Sequence, residues 1–143
     1  MELSIKSTPY QRAAALYIRM SVFVLEKGIS LQDEFDNFDT DETVYAVIYD
    51  QDFPISTARL LKEDHSTCRI TRVATLKEYR GQQKGAEIIA GLEAYAMAHH
   101  YKKALIHSEV AAKGFYEKQG YTAISEVYKE DGVPCQTLTK VLL

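Results

Sequence analysis

Seven consecutive residues, Arg80-Gly81-Gln82-Gln83-Lys84-Gly85-Ala86, carry the densest chemical signal in the chain. An extended run leads into them and an amphipathic helix follows, so they form a strand-to-helix turn. Such a turn presents unpaired backbone N–H groups at the positive end of a helix dipole, a receptor for phosphate oxygens. Gly81 and Gly85 permit positive φ or close backbone approach, while Arg80 and Lys84 add charge at the same place. Taken alone, the pattern fits an ordinary tight corner better than a binding site.

A second concentration lies at residues 29–42, where Asp33, Glu34, Asp36, Asp39, Asp41 and Glu42 are interleaved with Phe35 and Phe38. It reads either as a solvated acidic loop or as a lip that attracts a cationic substrate such as an amine. Metal chemistry finds no support. His65, His99, His100 and His107 lack zinc-type spacing, and Cys68 and Cys135 form no C-x-x-C pair. There is no G-x-x-x-x-G-K-[ST] sequence, which makes a nucleotide-binding domain remote.

The elements that must position these groups follow from periodicity. Residues 2–6 alternate as a first strand. Thr8 and Pro9 start a helix that runs to about Lys27, with a β-prone stretch at 22–25 that favours a break and Gly28 as its stop. Residues 43–49 and 55–61 form a hairpin, and 67–76 a third strand of the same meander. The period then changes: Ile88, Ile89, Leu92, Tyr95 and Ala96 share one face of a helix over 87–99. A short strand at 104–107, a helix over 110–119 stopped by Gly120, and strands at 121–128 and 136–143 complete the order. One α+β domain over 1–143 is expected. A 143-residue chain with 46% hydrophobic and 26% charged residues can bury a proper core. The net charge of −3 gives no general affinity for nucleic acid. No apolar run would span a membrane and the N-terminus does not read as a secretion signal, so a reducing cytoplasm is expected.

This order and three motifs resemble the GCN5-related N-acetyltransferase (GNAT) superfamily, in its ElaA-like branch. The first motif is 80–86, which is similar to the family's Q/R-x-x-G-x-G/A signature at Arg80, Gly85 and Ala86 but carries Gln83 at the middle glycine. The second is Ala112-x-x-x-Tyr116-x-x-x-Gly120-Tyr121, with Glu109 where relatives often have Asn or Gln. The third comprises residues 21–26, Asp33-Glu34-x-Asp36, and residues 127–134, with Cys135 at a position where relatives often carry His.

The resemblance implies a mixed, mostly antiparallel central sheet of six to seven strands, helices on both faces and splayed central strands. It implies acetyl transfer from acetyl-CoA to a primary amine by direct attack, without a metal; a non-catalytic acyl-CoA-binding module is the alternative. The acceptor would be a small amine or a peptide amine, and a homodimer built on the final strand stays open. Val73, Ala74 and Thr75 would bind the pantetheine arm, one of their N–H groups polarising the thioester carbonyl. Arg80, Gly81, Gln82, Gln83, Lys84, Gly85 and Ala86 would hold the pyrophosphate. Tyr116 would touch the cofactor and donate its phenolic proton to the departing thiolate. Glu34 is the first candidate for the base, followed by Glu109 and His107. Asp33, Phe35, Asp36, Arg72 and His107 would face the acceptor. A Cβ at position 83 restricts φ where the family has glycine. Gln83→Gly is therefore expected to leave acetyl-CoA affinity, measured by titration calorimetry, equal or tighter; a clear loss would mean that the glutamine side chain contacts the cofactor.

Overall fold

The computed structural model covers residues 1–143. The elements are β1 (Glu2–Lys6), α1 (Pro9–Arg19), α2 (Leu31–Glu34), β2 (Val44–Asp50), β3 (Phe53–Lys62), β4 (Thr67–Thr75), α3 (Lys84–Ala98), β5 (Lys103–Glu109), α4 (Lys113–Lys118), β6 (Thr122–Ala123), β7 (Tyr128–Glu130) and β8 (Val133–Val141). They form one sheet in the order β1-β2-β3-β4-β5-β8-β6, with β7 also paired to β8. Every pairing is antiparallel except that of β4 with β5. No helix is long and apolar enough to cross a membrane.

Both faces of the sheet are covered, which is why β2 reads as an unbroken apolar run. Ala46 and Ile48 point into a core with Ile88, Ile89 and Leu92 of α3, and Tyr116 of α4 joins it. Tyr45 and Val47 point the other way, against Ala15 and Ile18 of α1. Gln11 fixes α1 on its face: fully buried, it donates to the Ser4 and Tyr45 carbonyls at 2.8 and 3.0 Å and accepts from the Tyr49 hydroxyl at 2.8 Å.

Four elements differ from the sequence reading. The first helix does not break at 22–25. It widens instead into a π-helix over Met20–Glu26, so the chain stays helical through the β-prone stretch. Helix α3 begins at Lys84 rather than Glu87, so its first turn lies inside the glycine-containing motif. The expected strand at 121–128 is two short strands, β6 and β7, which raises the count to eight. The last strand starts at Val133, because Asp131 and Gly132 both take positive φ (52° and 80°) and make a two-residue hairpin turn.

The acidic segment 29–42 is mostly exposed, yet part of it turns inward. Three of its carboxylates enter an ion cluster with three arginines of the sheet and α1. Arg19, fully buried, donates to Glu34 at 2.9 Å and to both oxygens of Asp39 at 2.7 and 3.0 Å. Arg59 grips Asp36 through two hydrogen bonds, at 2.7 and 3.1 Å. Arg72 lies 3.0 Å from Glu34 and 3.2 Å from Asp36. Phe35 and Phe38 cover the guanidinium planes of Arg19 and Arg59, with centroids at 5.1 and 5.9 Å.

Burial alone would raise the Asp39 pKa. Hydrogen bonds from Arg19 and the Tyr45 hydroxyl, with the charge of Arg59, outweigh it and lower the carboxyl to about 2. A carboxyl that titrates lower folded than unfolded adds stability above its unfolded value and loses it as pH falls toward its folded one. Asp39 is thus expected to contribute about 2 kcal/mol at neutral pH, lost between about pH 4 and pH 2. Urea titrations over that range should show the decline in the wild type and a flatter profile in Asp39→Asn. Removal of the central cation in Arg19→Met, which leaves Glu34 with Arg72 and Asp39 with Arg59 as their one remaining cation each, should cost up to about 3–5 kcal/mol.

Candidate active site

Strands β4 and β5 pair in parallel over only three residues, from Thr67–Lys103 to Arg69–Leu105. Beyond that point they diverge. A register shift in the β3–β4 ladder lies between Thr57 and Arg59, opposite residues 72–73 of β4. Arg72 there has φ +56°, a left-handed conformation that β-strand residues rarely adopt. This bulge bends β4 away from β5, and its edge from Ile70 onward has no ladder partner on the β5 side.

Two cavities open along the divergence. The larger, about 710 Å³, is lined by Val73, Ala74 and Thr75 of β4, by Arg80, Gly81, Gln83, Lys84, Gly85 and Ala86, and by Phe115 and Tyr116 of α4 among others. The smaller, about 260 Å³, lies between Phe23 and Lys27 on one wall and His107 and Glu109 on the other, with Glu34, Arg69, Arg72 and Tyr116 also facing it. Val73 and Tyr116 line both. The two spaces meet there.

The backbone N–H groups of residues 81–86 find no acceptor in the chain; the first intrahelical bond of α3 runs from Glu87 to the Gln83 carbonyl. Gln83 caps the helix in the left-handed region, with φ +62°, which is the conformation a glycine would take there. The side chain of Arg80 is engaged elsewhere: it makes two 2.7 Å hydrogen bonds to Glu26 and one of 2.9 Å to the Thr75 carbonyl. It therefore ties the π-helical segment to the end of β4. Lys84 pairs with Glu87 at 3.2 Å and still lines the cavity.

Tyr116 is 9% exposed, and its hydroxyl makes no hydrogen bond within the protein. Burial, with a contribution from the charge of Glu109, pushes its phenol up to about 12. It stays protonated throughout the neutral range and can only give a proton there. Among the carboxylates, Glu34 faces the smaller cavity, but its Oε2 is held by both Arg19 and Arg72. Burial raises its pKa against the pull of those charges. Glu109 is exposed and forms no ion pair. His107 accepts at Nδ1 from Arg69 at 3.3 Å.

Of the expected acceptor residues, Arg72 and His107 line the smaller cavity, whereas Asp33, Phe35 and Asp36 line neither. The physical reason is charge pairing: Arg59 and Arg72 draw Asp36 inward, and Arg19 takes the ring of Phe35. Gln82 does not line the larger cavity, although its N–H is unpaired. Sequence reasoning missed Phe23, Lys27 and Arg69. Phe23 lies in the π-helix and Lys27 caps its end, on a course that no α-helical periodicity reveals, and Arg69 reads as an ordinary strand residue.

Residues 16–142 match the family described as Acetyltransferase (GNAT) domain. The chain belongs to the GNAT acetyltransferase family. An uncharacterized acetyltransferase of Streptococcus pyogenes is 42% identical over 113 residues, covering 79% of this chain and 77% of that protein. The crystal structure of a candidate N-acetyltransferase from Lactobacillus plantarum superposes with a TM-score of 0.96 at 40% identity, covering 99% of this chain and 98% of the other. ElaA of Escherichia coli superposes with a TM-score of 0.85 at 26% identity, covering 97% and 98%. This chain thus shares the GNAT fold with both solved structures.

Proposed function

We propose that this GNAT protein is an acetyl-CoA-dependent N-acetyltransferase that acts on a primary amine. The observation that carries the proposal is the meeting of the two cavities at Val73 and Tyr116. One cavity has the unpaired N–H groups that a pyrophosphate requires, the other has titratable side chains, and a strand edge runs between them. Coenzyme A would occupy the larger cavity, its pyrophosphate on the N–H groups of 81–86 and the helix dipole of α3. Its pantetheine arm would add to the free edge of β4 at residues 73–75 as an extra strand.

In this arrangement the amine enters from the smaller cavity and loses a proton to Glu109 through water. Glu109 is favoured over Glu34 because no guanidinium occupies its oxygens. The nitrogen lone pair attacks the thioester carbon, and the developing oxyanion takes a hydrogen bond from the N–H of Val73 or Ala74. As the C–S bond breaks, the electron pair leaves with sulfur and the Tyr116 proton follows it; the second proton of the attacking nitrogen passes through solvent to restore the phenol, giving the amide and free coenzyme A. The low dielectric that raises the Tyr116 pKa keeps that proton available at neutral pH. Much of the rate comes from holding the two reactants at the junction.

Release of free thiol from acetyl-CoA in the presence of amines is the direct assay. Binding of acetyl-CoA without any amine-dependent thiol release would favour a non-catalytic binding module instead. In Tyr116→Phe turnover is expected to fall about tenfold or more, with little change in acetyl-CoA affinity. The fold should be intact, because the lost hydroxyl has no partner to strand. Unchanged turnover would remove Tyr116 from the mechanism.

A further inference from the structure

We infer that the acceptor is a small zwitterionic amine, carrying a carboxylate or phosphate group in addition to the nitrogen that is acetylated. The inference rests on the reading of the smaller cavity as the acceptor site. Its charges do not describe a receptor for a simple cation. Glu34 and Arg72, both in the wall, neutralise one another at 3.0 Å. What remains is one carboxylate, Glu109, set against two cations, Lys27 and Arg69, and the ring of His107.

These cations have no adequate protein partner. Lys27 forms no ion pair, and its Nζ rests over the ring of Phe23, 5.4 Å from the centroid. The Nε of Arg69 is buried without a hydrogen-bond acceptor; the carboxylate of Glu63, 3.5 Å away, does not satisfy it. The other arm of Arg69 donates to Nδ1 of His107 at 3.3 Å. A guanidinium only donates, so Nδ1 accepts and the ring hydrogen sits on Nε2, a further donor. A buried donor without an acceptor is costly, and an oxyanion is the ligand that such a set of N–H groups fits.

The spacing is suited to one small molecule. His107 and Glu109 are two residues apart on β5 and share a face, so their Cα atoms are separated by about 7 Å. The amine would sit at Glu109, beside Tyr116, and the anionic end toward Arg69 and His107. A cavity of about 260 Å³ is smaller than the roughly 300–1,000 Å³ typical of sites for drug-sized ligands. That volume suits a compound the size of an amino acid rather than a long polyamine or an aminoglycoside.

The test compares matched acceptors in the thiol-release assay: n-propylamine against β-alanine, and ethanolamine against its phosphate ester. The anionic member of at least one pair should be favoured in kcat/KM by about 10- to 100-fold, the worth of one hydrogen bond to a charged group. The pair that shows the larger preference identifies the anion as carboxylate or phosphate. In Arg69→Gln the preference should shrink by a similar factor through KM for the acceptor, with KM for acetyl-CoA held; Arg69→Lys should keep most of it. Equal or better use of the neutral amines, or a preference that survives Arg69→Gln, overturns the inference and leaves acetyl transfer standing. Thiol release with no member of either pair counts against acetyl transfer itself, and the inference falls with it.

Discussion

Arg72 occupies a backbone conformation that a strand residue does not choose, and much of the site's shape depends on its staying there. A left-handed non-glycine residue costs about 1–3 kcal/mol and persists only where surrounding contacts over-determine it. Here those contacts are unusually many. The guanidinium reaches Glu34, Asp36 and the backbone carbonyls of Asp33 and Glu34, which fastens the bulge of β4 to the segment that closes over it. Because β4 bends at this point, β5 cannot follow it, and the sheet opens without losing the core beneath. The gap, the free strand edge and the junction at Val73 are geometric consequences of that bend.

Charge is divided between two tasks in this protein. Arg19, Arg59 and Arg72 with Glu34, Asp36 and Asp39 form a cluster of three cations and three anions that holds the 29–42 segment against α1 and the sheet. Buried pairs of this kind contribute little net stability relative to apolar packing but are costly to break singly. Their effect is to fix one position for the wall of the smaller cavity. The charges left over, on Lys27, Arg69 and Glu109, face that cavity with few partners. Half of the segment's acidic residues, whose composition by itself suggests an attraction for cations, are consumed inside the fold.

The order of elements was legible because each rests on a local signal: alternation in β1, the β-prone runs of β2 to β4, the helical face of α3, the Asp131-Gly132 turn, Gly120 after α4. The 80–86 turn was legible for the same reason, since a strand, glycines and a helix start are adjacent in the chain. What could not be read depends on contacts between distant residues. That Glu34 meets Arg19 and Arg72 follows from tertiary packing across 15 and 38 positions, and no spacing rule encodes it. The π-helical course of 20–26 is likewise outside what α-helical periodicity encodes, and the β-prone residues there read as a break. Arg80 shows the mixed case: its place in the motif was evident, whereas its engagement with Glu26, 54 residues away, was not.

The central claim is that the N–H groups of 81–86 and the free edge of β4 together receive one acyl-CoA molecule. Hydrogen–deuterium exchange resolved to single amides, with and without acetyl-CoA, addresses it directly. Amides 81–86 have no acceptor in the free protein and should exchange fast, then slow markedly on addition of acetyl-CoA together with amides in 73–75. Slowing confined to other surfaces, or none at saturating acetyl-CoA, would contradict the account.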